Sequence, residues 1–108
     1  MSQGFERRQD GFEKKFKLEQ EQQFRANARR NKKLGRWAAE RMGIGEEDID
    51  AYISEVIRSD FEEAGDDDVF RKIKADLEAK GQDVPDAELR STMDRFLEDA
   101  CREIAEEG

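Results

Sequence analysis

Apolar residues recur along the second half of the chain at the three- and four-residue spacing of amphipathic helices. Three such stripes follow one another, and each predicts one helix with a single face turned toward a core. Strand-like alternation of apolar and polar positions is absent from the sequence, and no internal repeat is visible. The stripes consist of Ile49, Tyr52, Ile53, Val56 and Ile57, then of Val69, Phe70, Ile73 and Leu77, and finally of Leu89, Met93, Phe96, Leu97, Ala100 and Ile104.

A longer helix is predicted ahead of these three. Residues 19–42 are rich in Glu, Gln, Arg, Lys, Ala and Leu and contain no proline, and Gly43 supplies a stop. Asp66 is placed to cap the third helix, Gly81 to close it, and Pro85 to open the fourth. The sequence therefore predicts an all-α protein, a small four-helix bundle with a long first helix.

The first eighteen residues have a different character. They are polar and interrupted by glycines, which predicts a flexible N-terminal arm over residues 1–18, ahead of a four-helix domain over residues 19–108. If the arm is wound as a helix, Phe5, Phe12 and Phe16 lie within an arc of about 40°. Either these rings pack back on the bundle as extra core, or they are exposed in the free protein and order on contact with a partner. We favour the second interpretation.

Composition argues against catalysis. With 108 residues, 44% charged and 35% hydrophobic, the chain can build only one small domain with a thin core. It contains no histidine, which excludes Ser-His and Cys-His nucleophiles and zinc sites that use histidine. No glycine-rich phosphate loop or calcium-loop spacing occurs. We expect no enzymatic activity, no catalytic residues, no cofactor and no metal site, and we expect Cys101 to be a partly buried structural thiol.

Charge is divided unevenly along the chain. Residues 1–44 hold 12 Lys and Arg against 6 Asp and Glu, whereas residues 45–108 hold 8 against 22. We therefore expect the first segment to contact an acidic surface. This surface could belong to a protein groove, to a nucleic acid or to the acidic half of this same chain. Nucleic acid is disfavoured because the second half would repel a polyanion, and because Trp37, beside the densest basic cluster, is expected in the core.

Membrane insertion and export are not expected either. The sequence has no run of eighteen apolar residues and no basic leader ahead of an apolar segment, so we expect a cytoplasmic protein that does not insert directly into a membrane.

Two blocks of sequence resemble one known family. FRANARRNKKLGRWAA, from Phe24 to Ala39, is similar to the central signature F-K-A-x-A-R-R-N-x-L-L-G-x-W-A of the ATPase inhibitor zeta subunits of alphaproteobacteria. DFEEAGDDDVFRK, from Asp60 to Lys72, is similar to D-F-x-E-P-G-D-x-D-V-F-R-K of the same family. In the arm, FERR, from Phe5 to Arg8, and EKKF, from Glu13 to Phe16, are similar to the family's F-[DE]-R-E and E-x-K-F elements. Departures from these patterns include Arg8 in place of an acid, Lys33 in place of Leu and Ala64 in place of Pro.

The resemblance implies an inhibitor subunit of an F-type ATP synthase, which blocks ATP hydrolysis by inserting its N-terminal helical arm into the catalytic alpha/beta interface. The implied partner is the catalytic head with its alpha, beta and gamma subunits, and the implied location is the inner face of the cell membrane, peripheral through the synthase. We expect a monomer when the protein is free. The expected partner-binding residues are Phe5, Arg7, Arg8, Phe12, Lys14, Lys15, Phe16, Phe24, Arg29 and Arg30.

A second hypothesis stays open beside this one. A helical adaptor or stress protein could use the same basic, aromatic arm to recruit another acidic partner. The composition of the arm does not separate the two hypotheses, because both need aromatic anchors flanked by positive charge.

Overall fold

The described residues of the protein fold as four α-helices joined by short connections. The computed structural model describes residues 15–60 and 66–107, and these ranges contain no strand. The helices are α1 (Gln20–Met42), α2 (Glu46–Ser59), α3 (Asp67–Ala79) and α4 (Asp86–Glu107). The predicted all-α, four-helix class is confirmed. The predicted flexibility of the arm concerns mainly residues 1–14, which lie outside the described residues. Within those ranges, no helix is long and apolar enough to cross a bilayer.

Both ends of α1 follow from local sequence. At its start the backbone N–H of Glu19 donates to the side chain of Gln22 at 2.9 Å, half of a capping box. At its end Gly43 adopts a left-handed conformation with φ of 74°, and the N–H of Ile44 returns to the carbonyl of Ala39 at 3.0 Å. A side chain at position 43 would be strained in that conformation, so the predicted glycine stop is confirmed.

The main core lies where α1 crosses α2, α3 and the first half of α4. Gly35 allows α1 and α2 to approach each other closely, because a Cβ at that position would lie only 3.2 Å from the Cα of Ile53. Trp37 packs against this core as predicted, and the Arg41 guanidinium lies 4.9 Å from its ring centroid. The core residues are Leu34, Ala38, Ala39, Ile49, Tyr52, Ile53, Val56, Val69, Ile73, Leu77, Val84, Leu89 and Met93.

A second apolar cluster joins the start of α1 to the end of α4. Cys101 lies in it and is fully buried, deeper than the partly buried thiol that the sequence predicted. Leu18 also belongs to it and is only 8% exposed, although the sequence places this residue in the arm. The described end of the predicted arm therefore contributes to the core of the bundle. The cluster consists of Leu18, Ala26, Leu97, Ala100, Cys101 and Ile104, with Phe16 and Ala105 packed against it.

A buried polar network holds α1 against the connection between α2 and α3. Arg30 is 1% exposed, and its Nη1 donates to Oδ2 of Asp66, itself 4% exposed, at 3.3 Å. Arg30 Nε donates to Oδ1 of Asn31 at 2.6 Å, and Asn31 Nδ2 donates to Oδ2 of Asp60 at 3.0 Å. The network thus reaches both residues that flank the segment outside the described ranges.

Two expectations change with this network. Asp66 occupies the N-cap position of α3 as predicted, yet its carboxylate makes no capping bond and pairs with Arg30 and Arg90 instead. Arg30 was expected on a partner-binding surface but lies in the interior, because its face of α1 turns toward Asp66. Burial raises the pKa of Asp66, and the two guanidinium groups offset part of that rise.

Replacing Arg30 should test how strongly the bundle depends on this pair. Arg30→Ala removes one of the two guanidinium groups that pair with the buried Asp66 carboxylate. We expect the free energy of unfolding to fall by about 3 to 5 kcal/mol. Arg25→Ala is the matched control, because Arg25 pairs with Glu107 at the surface and should contribute less than about 1 kcal/mol. Urea titrations of both variants measure the difference, and equal losses would contradict a buried Arg30.

Candidate partner-binding surface

The base of the arm is attached to the bundle. Lys15 Nζ lies 2.8 Å from Oε2 of Glu98 on α4, and the Lys15 ammonium lies 5.3 Å from the ring centroid of Phe16. Phe16 is half-buried against the second cluster. The expectation that this ring is exposed in the free protein is therefore wrong, and packing on the bundle describes it better. The other expected arm residues, Phe5, Arg7, Arg8, Phe12 and Lys14, lie outside the described residues.

The chain changes direction between the arm and α1. Lys17 has φ of 55°, the left-handed region that residues other than glycine rarely occupy. Gln23 Nε2 donates to the carbonyl of Leu18 at 3.1 Å and holds the segment after this turn on α1. A left-handed residue interrupts an α-helix. Lys15 and Phe16 are therefore not part of α1, which begins at Gln20.

Much of the positive charge of α1 is paired with α4. Arg29 donates to Glu107 at 3.1 Å and to Glu103 at 3.3 Å. Lys33 donates to Glu103 at 3.0 Å, and Arg25 donates to Glu107 at 3.3 Å. The acidic half of the chain is thus one target of the basic first segment, as one of the three alternatives predicted. Arg29, an expected partner-binding residue, already bridges two carboxylates, although its side chain remains 31% exposed.

One row of α1 is left outside these pairs. Phe24, Ala28 and Lys32 follow one another at intervals of four, which places them on one face of the helix. Phe24 is 62% exposed and is the one large apolar side chain that is exposed among the described residues. Lys32 is exposed and makes no ion pair with any residue in the described ranges. Phe24 was expected to bind a partner, and its exposure leaves it accessible.

This row borders a shallow groove. Ile57 of α2 and Ile104 of α4 form its apolar wall, Phe24 and Ala28 line it from α1, and its volume is about 340 Å³. The cationic edge is formed by Arg25, Arg29 and Lys32. We call this site the α1 groove.

Five residues of the α1 groove were not predicted as binding residues: Arg25, Ala28, Lys32, Ile57 and Ile104. The four-residue spacing of Phe24, Ala28 and Lys32 was a usable signal for Lys32. Ile57 comes close to this row only because of the way α2 crosses α1, and no local sequence pattern predicts that crossing.

The arrangement is suited to binding. The described residues contain no group of three or more Cys, Asp or Glu placed to hold a metal ion. What they offer is an apolar wall beside a cationic edge, the combination that recognises an amphipathic segment of opposite charge.

Acidification should weaken the contact between α1 and α4. The hydrogen bond from Lys33 lowers the pKa of Glu103 below its ordinary value of 4.5. The unfolded chain keeps the ordinary value, so the stability from this carboxylate is complete above about pH 4.5 and is lost as the pH falls through the folded pKa. Glu103→Gln should lower the free energy of unfolding at pH 7 by less than about 1 kcal/mol, and the difference from wild type should disappear in acid.

Denaturant titrations between pH 3 and pH 7 would measure this difference, with Glu106→Gln as the control. Glu106 is exposed on the same helix and has no ion pair with a described residue. A difference between wild type and Glu103→Gln that grew on acidification would contradict the role assigned to the Lys33 pair.

Comparison with known proteins shows to which family the chain belongs. No curated protein matches it. The sequence profile of one family, described as ATPase inhibitor subunit zeta, matches residues 1–103. The match begins at the first residue, includes α1, α2 and α3 and extends into α4, so it covers far more than the two blocks that carry the resemblance in sequence. The chain belongs to the ATPase inhibitor subunit zeta family.

Proposed function

We propose that this protein is a non-catalytic inhibitor of an F-type ATP synthase, and that it blocks ATP hydrolysis by inserting its arm into the catalytic alpha/beta interface. Family membership carries the proposal, because the match includes the arm as well as the bundle. The proposed partner is the catalytic head, with its alpha, beta and gamma subunits, at the inner face of the cell membrane. The protein is proposed to be a monomer when it is free.

The arm has the dimensions and chemistry of a wedge. The sixteen residues ahead of the turn at Lys17, wound as a helix, would extend about 24 Å at 1.5 Å per residue, enough to enter a cleft between two subunits. Each buried phenylalanine ring would remove roughly 150–250 Å² from water. Arg7, Arg8 and Lys14 would pair with acids that line the cleft and fix the register of the inserted segment.

The packed base of the arm supports a division of roles among the three rings. Phe16 and Leu18 lie against the bundle, and Lys15 pairs with Glu98, so the bundle holds the base of the arm in place. Holding one end reduces the conformational entropy that the arm loses on binding. We infer that Phe5 and Phe12 are the inserted rings and that Phe16 joins the wedge to the bundle.

Removing an inserted ring should abolish tight inhibition. Phe5→Ala together with Phe12→Ala should raise the concentration for half-maximal inhibition of ATP hydrolysis by roughly thirtyfold or more, because interface energy concentrates in buried aromatic anchors. Phe16→Ala is the comparison variant, and it should also lower the melting temperature, because its ring packs against the second cluster.

The assay is ATP turnover by the cognate synthase depleted of its inhibitor, with thermal unfolding recorded for each variant. Undiminished inhibition by the double variant would rule out the aromatic wedge. No inhibition by the wild type would favour the adaptor hypothesis, and a pull-down that recovers other proteins without the alpha, beta and gamma subunits would support it.

The basic residues of the arm should act mainly on the rate of association. Replacing Arg7, Arg8 and Lys14 by Ala should slow binding to the head, with an effect that shrinks as salt is raised, because exposed charges steer encounters over a screened distance. Lys80→Ala is the control, since Lys80 is exposed at the far end of α3. Stopped-flow association at two salt concentrations measures the effect, and an unchanged association rate would contradict steering.

A further inference from the structure

The α1 groove is the strongest feature that the arm mechanism leaves unused. Singly exposed apolar side chains are common on protein surfaces, and the exposure of Phe24 alone would mean little. Here the exposed ring stands at the edge of a concave surface, beside Ala28 and opposite Ile57 and Ile104. A volume of about 340 Å³ lies at the lower end of the range for binding pockets, which is roughly 300–1,000 Å³. A few apolar side chains would fill it.

The charge at the edge of the groove selects the occupant. Arg25, Arg29 and Lys33 share two carboxylates, Glu103 and Glu107. The three cations therefore already outnumber their partners. Lys32 adds a fourth positive charge and has no ion pair in the described part of the chain. An occupant that brings carboxylates to this edge gains electrostatic attraction, whereas a basic occupant is repelled.

This selection disfavours the arm of the same chain. Residues 1–18 contain five Lys and Arg against three Asp and Glu. The arm is therefore net positive, like the edge of the groove.

It also disfavours a second copy of the chain. Pairing two grooves face to face would bring the two cationic edges together. Pairing a groove with an acidic face would supply no anchor, because among the described residues Phe24 is the one large exposed apolar side chain.

We propose that the α1 groove binds an amphipathic, acidic helix of the ATP synthase head, as a second docking surface separate from the arm. Apolar side chains of that helix would cover Phe24 and Ile57, and its carboxylates would meet Lys32 and Arg25. Such packing of a helix into a groove places anchors at intervals of three and four residues, the same intervals that the row on α1 presents. The proposal rests on the proposed function for the identity of the partner.

The two surfaces have different tasks. The arm stops the enzyme, and the α1 groove sets how tightly the inhibitor is held. Since the two surfaces belong to one chain, binding at the groove raises the effective concentration of the arm at its cleft. A defect in the groove therefore weakens affinity and leaves complete inhibition attainable at saturation.

The test uses the full chain with single substitutions. Phe24→Ala and Lys32→Glu should each raise the dissociation constant for the inhibitor-depleted synthase head by roughly tenfold, as expected for an aromatic anchor and for reversal of a charge beside it. The Lys32→Glu effect should shrink at high salt. Both variants should still inhibit ATP hydrolysis completely at saturation. Phe24→Ala should melt at the wild-type temperature, because its ring is 62% exposed.

Lys80→Glu is the matched control, because it reverses an exposed lysine far from the groove and should leave the dissociation constant unchanged. Wild-type affinity in both groove variants would overturn the docking surface and leave the inhibitory arm standing. A wild type that binds and fails to inhibit, with both groove variants weakened, would overturn the proposed function and support the groove. A wild type with no measurable affinity for the head would overturn both.

Two further outcomes would identify another occupant. Tighter binding by Phe24→Ala than by wild type would mean that the groove holds the arm of the same chain until the partner displaces it. A wild-type dimer in sedimentation that Phe24→Ala converts to a monomer would mean that a second copy occupies the groove. Either result overturns the assignment to an acidic helix of the head.

Discussion

Arg30 constrains the whole bundle, because a guanidinium taken out of water has to be paired. Its partner Asp66 stands at the start of α3, and Asn31 beside it holds Asp60 just after α2. The long first helix is thus tied by adjacent residues to both ends of the same connection. The apolar stripes alone allow α1 to slide or rotate against its neighbours by a fraction of a turn. The buried ion pair does not, since a small rotation of α1 would move the buried Arg30 guanidinium away from Asp66.

Ion pairs between the basic first segment and the acidic second half neutralise part of the uneven charge along the chain. Three cations of α1 meet the carboxylates of Glu103 and Glu107 on α4, and Lys15 meets Glu98, which is nearer the start of the same helix. These pairs are exposed, and each contributes little stability. Their larger effect is on the surface charge. Most of the positive charge of α1 is neutralised by these carboxylates, and the remaining positive charge is concentrated around Lys32.

Periodicity and terminal signals were sufficient to predict the helices, and they did so for physical reasons that are local. A glycine is needed at Gly43 because the chain turns left-handed there, and Cys101 is buried because it lies on the apolar face of α4. Arg29 and Arg30 show the limit of such reasoning. They are adjacent and of the same type, yet they point about 100° apart on the helix, so one is paired at the surface and the other is buried. Phe16 shows a second limit, because composition does not indicate which side chains of a polar segment find an apolar neighbour.

The left-handed turn at Lys17 separates the segment that holds Lys15 and Phe16 from α1, which begins at Gln20. An uninterrupted helix would have carried these two residues along the axis of α1. Because the backbone turns at Lys17, Lys15 instead reaches Glu98 and Phe16 packs against the second cluster. The place where the end of the arm meets the bundle is therefore set by the backbone of one left-handed residue and not by the axis of the helix that follows it.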